Sequence, residues 1–297
     1  MNFSFLTERG YLPPDQLNNQ DWSDITLSRE DVRAITSHIF SISEDINPIQ
    51  FLSLEDRRIM LYFYCDQDID YSWFSRRLEE REEFAGRYRA NCTNYGILVA
   101  KRNVHKGTAL KQFASMVEVP ISRIAKFGDQ GQKGGNDHEL LAYPGSFSVY
   151  RADEANSNTF NSHESFNMSN AAGTLWILER LNFVSPDNSR IKASMDMPFI
   201  QFKATYQAAA FDMDGTLLSA GKSQPSDDMY RMLAALLENG IPIAIITARN
   251  REAIDRMFLR GFSRYIDEIP KNLLLFLCNG AALLKSSQSS KLQKIRF

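Results

Sequence analysis

Two carboxylates separated by one residue, Asp212 and Asp214, stand at the end of the apolar run QAAAF and are followed at once by Gly215 and Thr216. In an extended segment residues two apart point the same way, so both carboxylates project together from a strand's carboxyl end, where open α/β sheets bind ligands. Two like charges there call for a cation, and magnesium, which takes hard oxygen ligands and bridges phosphate oxygens, suits the pair. A second acidic segment runs from Gly128 and Asp129 through Gly131, Gly134 and Gly135 to Asn136, Asp137, His138, Glu139 and Leu140. Asp129 leaves a strand end, a glycine-bearing loop follows, and Asn136 and Asp137 open a helix whose amide-rich N-terminus favours an anion. Asp-x-Asp-Gly alone is also an ordinary capped turn, and a threonine such as Thr247 closing an apolar strand is ordinarily structural. Each gains meaning only in the company of the others.

The elements that must carry these groups can be read from periodicity. QAAAFDMDGTLL is a buried strand entering a glycine turn. SDDMYRMLAALLENG follows as an amphipathic helix with Met229, Met232, Leu233, Leu236 and Leu237 on one face and Gly240 as its stop. IPIAIITAR reads as a strand, REAIDRMFLRG as a helix, and NLLLFLCNGAALLK as a strand pair. Upstream, Asn91 to Tyr150 alternates strand, helix, strand, helix, strand, which predicts a parallel sheet with crossover helices. Residues 151 to 170 are rich in Asn and Ser and read as a surface loop before a helix at AAGTLWILERL. In the first 90 residues the pattern predicts a helix from Ser28 to Ser43, a strand through IMLYFYC and a charged helix over SRRLEEREEFAGRYR.

With these motifs placed, FDMDGTLL resembles the first motif of haloacid dehalogenase-like (HAD) phosphatases and phosphomutases. The resemblance implies that Asp212 is a nucleophile forming an aspartyl-phosphate and that Asp214 is the general acid and base, with Gly215 and Thr216 lining the substrate. It implies further that Thr247 hydrogen-bonds the phosphoryl group as the second motif. Lys106, in KGTAL, is similar to the third-motif lysine of members with a large cap, and would neutralise phosphoryl charge and the Asp212 carboxylate. The GGNDHEL run is similar to their fourth motif, closest to the phosphomannomutase branch. By that likeness magnesium would be held by Asp212, Asp129 and the backbone carbonyl of Asp214, with Asn136 and Asp137 fixing its waters or the phosphate.

These motifs occur in the order three, four, one, two. In capped members of the family the first two motifs are followed by a strand ending in Asn-Gly-Ala, then a cap of about a hundred residues, then the last two. Here 16 residues follow Asn279-Gly280-Ala281 and about 100 precede Lys106. A circular permutation opened within the cap accounts for this, because surface termini that lie close together tolerate it. The expected architecture is a Rossmann-like α/β core with a parallel sheet over residues 100–282, and a smaller α+β cap from 1–99 together with 283–297. The segment 184–204 would join the old ends.

Composition bounds the rest. A chain of 297 residues with 43% hydrophobic residues is an ordinary globular protein of about two domains at roughly 100–200 residues each. Its net charge of −2 provides no global field for nucleic acid or an anionic membrane, so anion binding must be local. The 3 cysteines lack metal-ligand spacing, and neither a leader nor an apolar stretch of spanning length is visible. A cytoplasmic protein, monomer or homodimer, is the expectation. Asp66, Asp68 and Asp70 imitate a metal loop but have Tyr71 where glycine is needed, and read as a solvated turn. Arg76, Arg77, Arg81, Arg87 and Arg89, interleaved with glutamates, read as an ion-paired face that a closing cap could also use. His138 reads as a polar helix-start residue.

The function expected is a magnesium-dependent phosphatase acting on a phosphorylated small metabolite, with a sugar phosphate as the leading class. A sugar phosphomutase and a catalytically silent binding module are the alternatives.

Overall fold

The computed structural model describes residues 26–44, 53–56, 59–64, 76–78, 80–93, 96–156, 158–184, 190–192, 204–286 and 292–295. They divide into a smaller unit, formed by the chain up to His105 together with Lys133–Asn136, and a larger one from Lys106–Gln132 and Asp137 onward. Asp66, Asp68, Asp70 and Tyr71 lie outside the described residues.

In the smaller unit, helix α1 (Arg29–Glu44) precedes strands β1 (Ser53–Asp56) and β2 (Met60–Tyr64), then a short α2 (Glu82–Ala85), β3 (Tyr88–Thr93) and β4 (Gly96–Lys101). The strands form an antiparallel sheet in the order β1-β2-β4-β3. Ile35, Ile39 and Ile42 repeat at helical spacing along α1 and pack with Phe63, Ile97 and Val99 into one core. Ser28 and Asp31 start α1 with reciprocal bonds of 2.8 and 3.0 Å between side chain and backbone. Two expectations change here. The strand at 96–101 pairs antiparallel in this sheet instead of joining the parallel one. The charged stretch 75–89 is a helix only in pieces, since Tyr88 and Arg89 already belong to β3, where Tyr88 and Ala90 are buried.

The larger unit opens with α3 (Lys106–Met116), β5 (Ile124–Gln130), a one-turn α4 (His138–Leu141), β6 (Ser146–Arg151), β7 (Thr159–Asn161), α5 (Ser162–Phe166) and α6 (Asn170–Leu178). Three short strands follow, β8 (Asn182–Val184), β9 (Arg190–Lys192) and β10 (Thr205–Tyr206), which form a small sheet of their own. Then come β11 (Ala208–Phe211), α7 (Asp227–Glu238), β12 (Ile243–Ile246), α8 (Arg251–Ile254), a π turn at Asp255–Leu259, α9 (Arg260–Phe262), β13 (Leu273–Leu277), β14 (Ala282–Ser286) and β15 (Leu292–Ile295).

Eight of these strands form one sheet in the order β15-β14-β13-β12-β11-β5-β6-β7, parallel from β13 through β7 and antiparallel at β14 and β15. This is the mixed α/β architecture of a Rossmann-like core. β11 and β12 are buried along their whole length, as strands covered on both faces must be. Phe211 stacks on Phe127 at 4.8 Å, and Phe127 on Phe147 at 5.1 Å, so one aromatic row crosses β11, β5 and β6.

Two further expectations change in this unit. The Asn/Ser-rich stretch is not all loop: Asn161 caps α5 by accepting from the His163 and Glu164 amides, which turns a polar composition into structure. The tail expected to belong to the smaller domain instead extends the large sheet, because the apolar Leu283 and Leu284 pair β14 against β13.

Candidate active site

The carboxyl ends of β11, β5 and β12 lie side by side, and the expected residues of the larger unit converge there. β5 is hydrogen-bonded to β11 with Phe127 opposite Phe211, so Asp129 and Asp212 leave neighbouring strands although 83 positions apart in sequence. The Asp212 amide donates to the Phe127 carbonyl at 2.9 Å, which carries the ladder one residue past the strand and fixes the start of the turn that holds Asp212 and Asp214.

Lys106 is the centre of the cluster. It is the first residue of α3, is fully buried, and donates to Asp137 Oδ1 at 2.6 Å and Asp212 Oδ1 at 2.5 Å. Burial alone would depress its pKa, but the Asp137 and Asp212 carboxylates outweigh burial and hold the lysine above its ordinary value. It therefore carries its charge at any physiological pH. Burial pushes the Asp212 carboxyl well up, with Asp137, Asp129 and Asp214 adding to the effect and Lys106 opposing it.

Asp137 is an anchor. Its Oδ2 accepts from the Asp129 and Gln130 amides at 3.1 and 3.0 Å, and its own amide donates to the Gln130 carbonyl at 3.0 Å, closing the loop at its base. Gly128 makes room for it, since a Cβ there would sit 2.7 Å from Asp137 Cγ. Gly215 does the same for Asp129. Its φ is +79° and an added Cβ would lie 2.2 Å from Asp129 Oδ2. Asp129, Asp137 and Asp212 each offer a carboxylate oxygen, and these oxygens lie within 4.8 Å of one another. Three buried carboxylates face one ammonium, and this excess negative charge in a hard-oxygen donor set fits a divalent cation such as magnesium.

Thr247 directly follows β12, is fully buried, and its Oγ1 accepts from the Arg249 amide at 3.1 Å. The carbonyl of Thr216 accepts from the Thr174 hydroxyl of α6 at 2.8 Å, while the Thr216 hydroxyl itself is buried with no partner among the described residues. Asn136 is also buried and belongs with the smaller unit. The Asp214 carboxylate, which is not the group expected to hold the metal, stands outside the cluster of three, partly exposed, and is held by two Arg249 nitrogens at 2.9 and 3.0 Å. His138 opens α4 and contacts Asp153 at 3.3 Å, in keeping with a helix-start role.

Residues 209–295 match the family model for haloacid dehalogenase-like hydrolases. The matched stretch carries Asp212, Asp214 and Thr247 and supports hydrolase chemistry. Lys106, Asp129 and Asp137 lie outside it and reach the same place only through the fold. No curated protein matches the chain.

Sequence reasoning missed Arg249, and it placed Gly128 and Gln130 in a motif without giving either a role. Gln130 donates to Asp129 Oδ2 at 3.1 Å, so the Asp129 carboxylate is oriented from its own strand. The signal for Arg249 was its place two residues beyond the strand-ending Thr247, in TARN, the side of the strand end that Thr247 also faces.

Proposed function

We propose that the protein is a magnesium-dependent phosphatase acting on a phosphorylated small molecule, with sugar phosphates as the leading class. The observation that carries this reading is Lys106 bridging Asp212 and Asp137, with Asp129 in the same buried cluster. Magnesium, when bound by Asp212, Asp129 and the Asp214 carbonyl, supplies positive charge for the phosphate oxygens.

The chain's own residues do the rest. Lys106 and the Thr247 hydroxyl hold the transferring group, and Lys106 favours the ionised form of the Asp212 carboxylate against the burial and like charges that oppose it. An Asp212 oxygen forms a bond to phosphorus as the bond to the leaving oxygen breaks, and that oxygen takes a proton from Asp214 and departs as an alcohol. Water then attacks phosphorus, passes its proton to Asp214, and releases phosphate with Asp212 restored. An acid two residues after the nucleophile suits rapid hydrolysis of the phosphoenzyme. The adjacency of β5 and β11 is compatible with a permuted core in which the smaller unit serves as the cap.

A panel of sugar phosphates, assayed for phosphate release with magnesium and with EDTA, tests the reading. Metal-dependent release is expected, and no release from any member would overturn it. A sugar phosphomutase is the second reading, favoured by the GGNDHEL run; conversion of a sugar 1-phosphate to the 6-phosphate without phosphate release would select it.

A further inference from the structure

Arg249 is unassigned by any motif, yet it is tied to both halves of the reaction. Its guanidinium grips Asp214 with Nε on Oδ2 at 2.9 Å and a second nitrogen on Oδ1 at 3.0 Å. That fork fixes the plane of the carboxylate, which a single contact cannot do. Its amide donates to Thr247 Oγ1, leaving the threonine hydroxyl proton to point elsewhere, toward an acceptor such as a phosphoryl oxygen.

The backbone beneath Arg249 is also held. The Cys278 amide donates to the Arg249 carbonyl at 3.1 Å and the Asn279 amide to the Thr247 carbonyl at 2.8 Å. Those two donors sit at φ +50° and +56°, followed by Gly280 at +92°. A left-handed conformation is unfavourable for a Cys, more readily adopted by an Asn, and two in succession persist where the surroundings enforce them. The same turn abuts α3, since a Cβ on Gly280 would lie 2.6 Å from Ala109 Cβ. A strained turn thus fixes Arg249 against the helix that begins with Lys106.

We propose that Arg249 is the positioning residue for Asp214, aligning its carboxyl with the leaving oxygen of the substrate. The inference rests on the phosphatase reading. Its signature is a dependence on the leaving group. kcat/KM covers the steps up to departure of the alcohol. An alkyl ester needs its leaving oxygen protonated in those steps, whereas a nitrophenolate departs without help.

The experiment compares p-nitrophenyl phosphate with β-glycerol phosphate in wild type, Arg249→Met and Arg249→Lys, with circular dichroism as a fold control. For Arg249→Met, kcat/KM is expected to fall about 10- to 100-fold on the alkyl ester and by less than about threefold on the aryl ester. Arg249→Lys, a single point charge, is expected to fall between, and it carries the comparison if the methionine variant does not fold. Adding Arg249→Met to Asp214→Asn should lower the alkyl-to-aryl ratio no further, because the positioned group is already gone. Equal losses on both esters, or a further drop in the double variant, would overturn the proposal while leaving the phosphatase reading intact. A wild type that releases phosphate from neither ester with magnesium would overturn both.

Discussion

Asp212→Asn separates stability from activity at one position. In the absence of metal, Asp212 faces two buried carboxylates whose ligand oxygens lie within 4.8 Å, and one ammonium at 2.5 Å. At an effective dielectric constant of about 20, each like-charge pair at that outer distance costs about 3.5 kcal/mol, so the two together cost about 7. The single lysine contact returns about 7 at the same dielectric. The pair terms cancel, which leaves the cost of burying the carboxylate itself, and the asparagine oxygen can still accept from Lys106.

The metal-free variant should therefore be more stable than wild type by roughly 1–2 kcal/mol, a rise in Tm of about 2–8 °C. The sign follows from the raised Asp212 pKa. The folded state binds this proton more tightly than the unfolded chain does. Metal-free wild type accordingly loses stability as pH rises from the ordinary carboxylate value through the raised one, and the variant is spared that loss. Thermal denaturation in EDTA and again in magnesium gives both readings. Magnesium at about a hundred times its Kd should stabilise wild type by about 2.7 kcal/mol and the variant by much less. Phosphate release by the variant should fall to background. A variant destabilised in EDTA, or one that keeps the full magnesium shift, would refute the electrostatic account of the cluster.

Lys106→Met should be the opposite case: it strands Asp137 and Asp212 without their cation, and a loss of about 3–5 kcal/mol is expected in chemical denaturation. Gly215→Ala drives a Cβ into Asp129 Oδ2 and should abolish the magnesium-dependent rise in Tm while the metal-free fold survives. Lys126, buried on β5, has its pKa pushed down to about 7 by burial. As a neutral amine its two protons match the Ile121 and Pro144 carbonyls it contacts. Since the unfolded lysine stays protonated to about pH 10.5, wild type should gain stability between pH 7 and 10 relative to Lys126→Met, and a pH-independent difference in Tm would contradict this. Tyr230→Phe removes the hydroxyl that donates to the Phe258 carbonyl beside the π turn, at an expected cost of about 0.5–1.5 kcal/mol in thermal denaturation.

Much of the larger unit was legible because its strands are apolar along their length and its helices keep one face. Ser226 accepting from the Met229 amide and Gly240 at φ +78° bracket α7 where the pattern placed it. What periodicity could not provide was partnership. GILVAK reads equally well as a strand of either sheet, and only its neighbours β2 and β3 decide. The polar stretch around Asn161 became a strand and a helix because a side chain capped it, a cue that composition averages away. At the site, charge-bearing residues could be picked out one by one. The fork between Arg249 and Asp214 could not, because it spans 35 positions and depends on a turn built from Cys278 and Asn279.

The neighbouring strands β5 and β11 imply something about how the site assembles. Lys106 meets Asp137 across 31 positions and Asp212 across 106. Closing the longer loop in place of the shorter costs only about 1 kcal/mol of chain entropy, because that cost grows with the logarithm of length. The order in which the chain delivers its carboxylates is therefore nearly indifferent to equilibrium stability and acts on the rate of folding instead. Lys106 and Asp137 can find each other early, as a neutral pair that tolerates a partly dry setting. Asp129 on β5 already leaves one negative charge in surplus, and Asp212 adds a second only when β11 docks, so a collapsed intermediate lacking β11 should respond to metal less than the complete fold does.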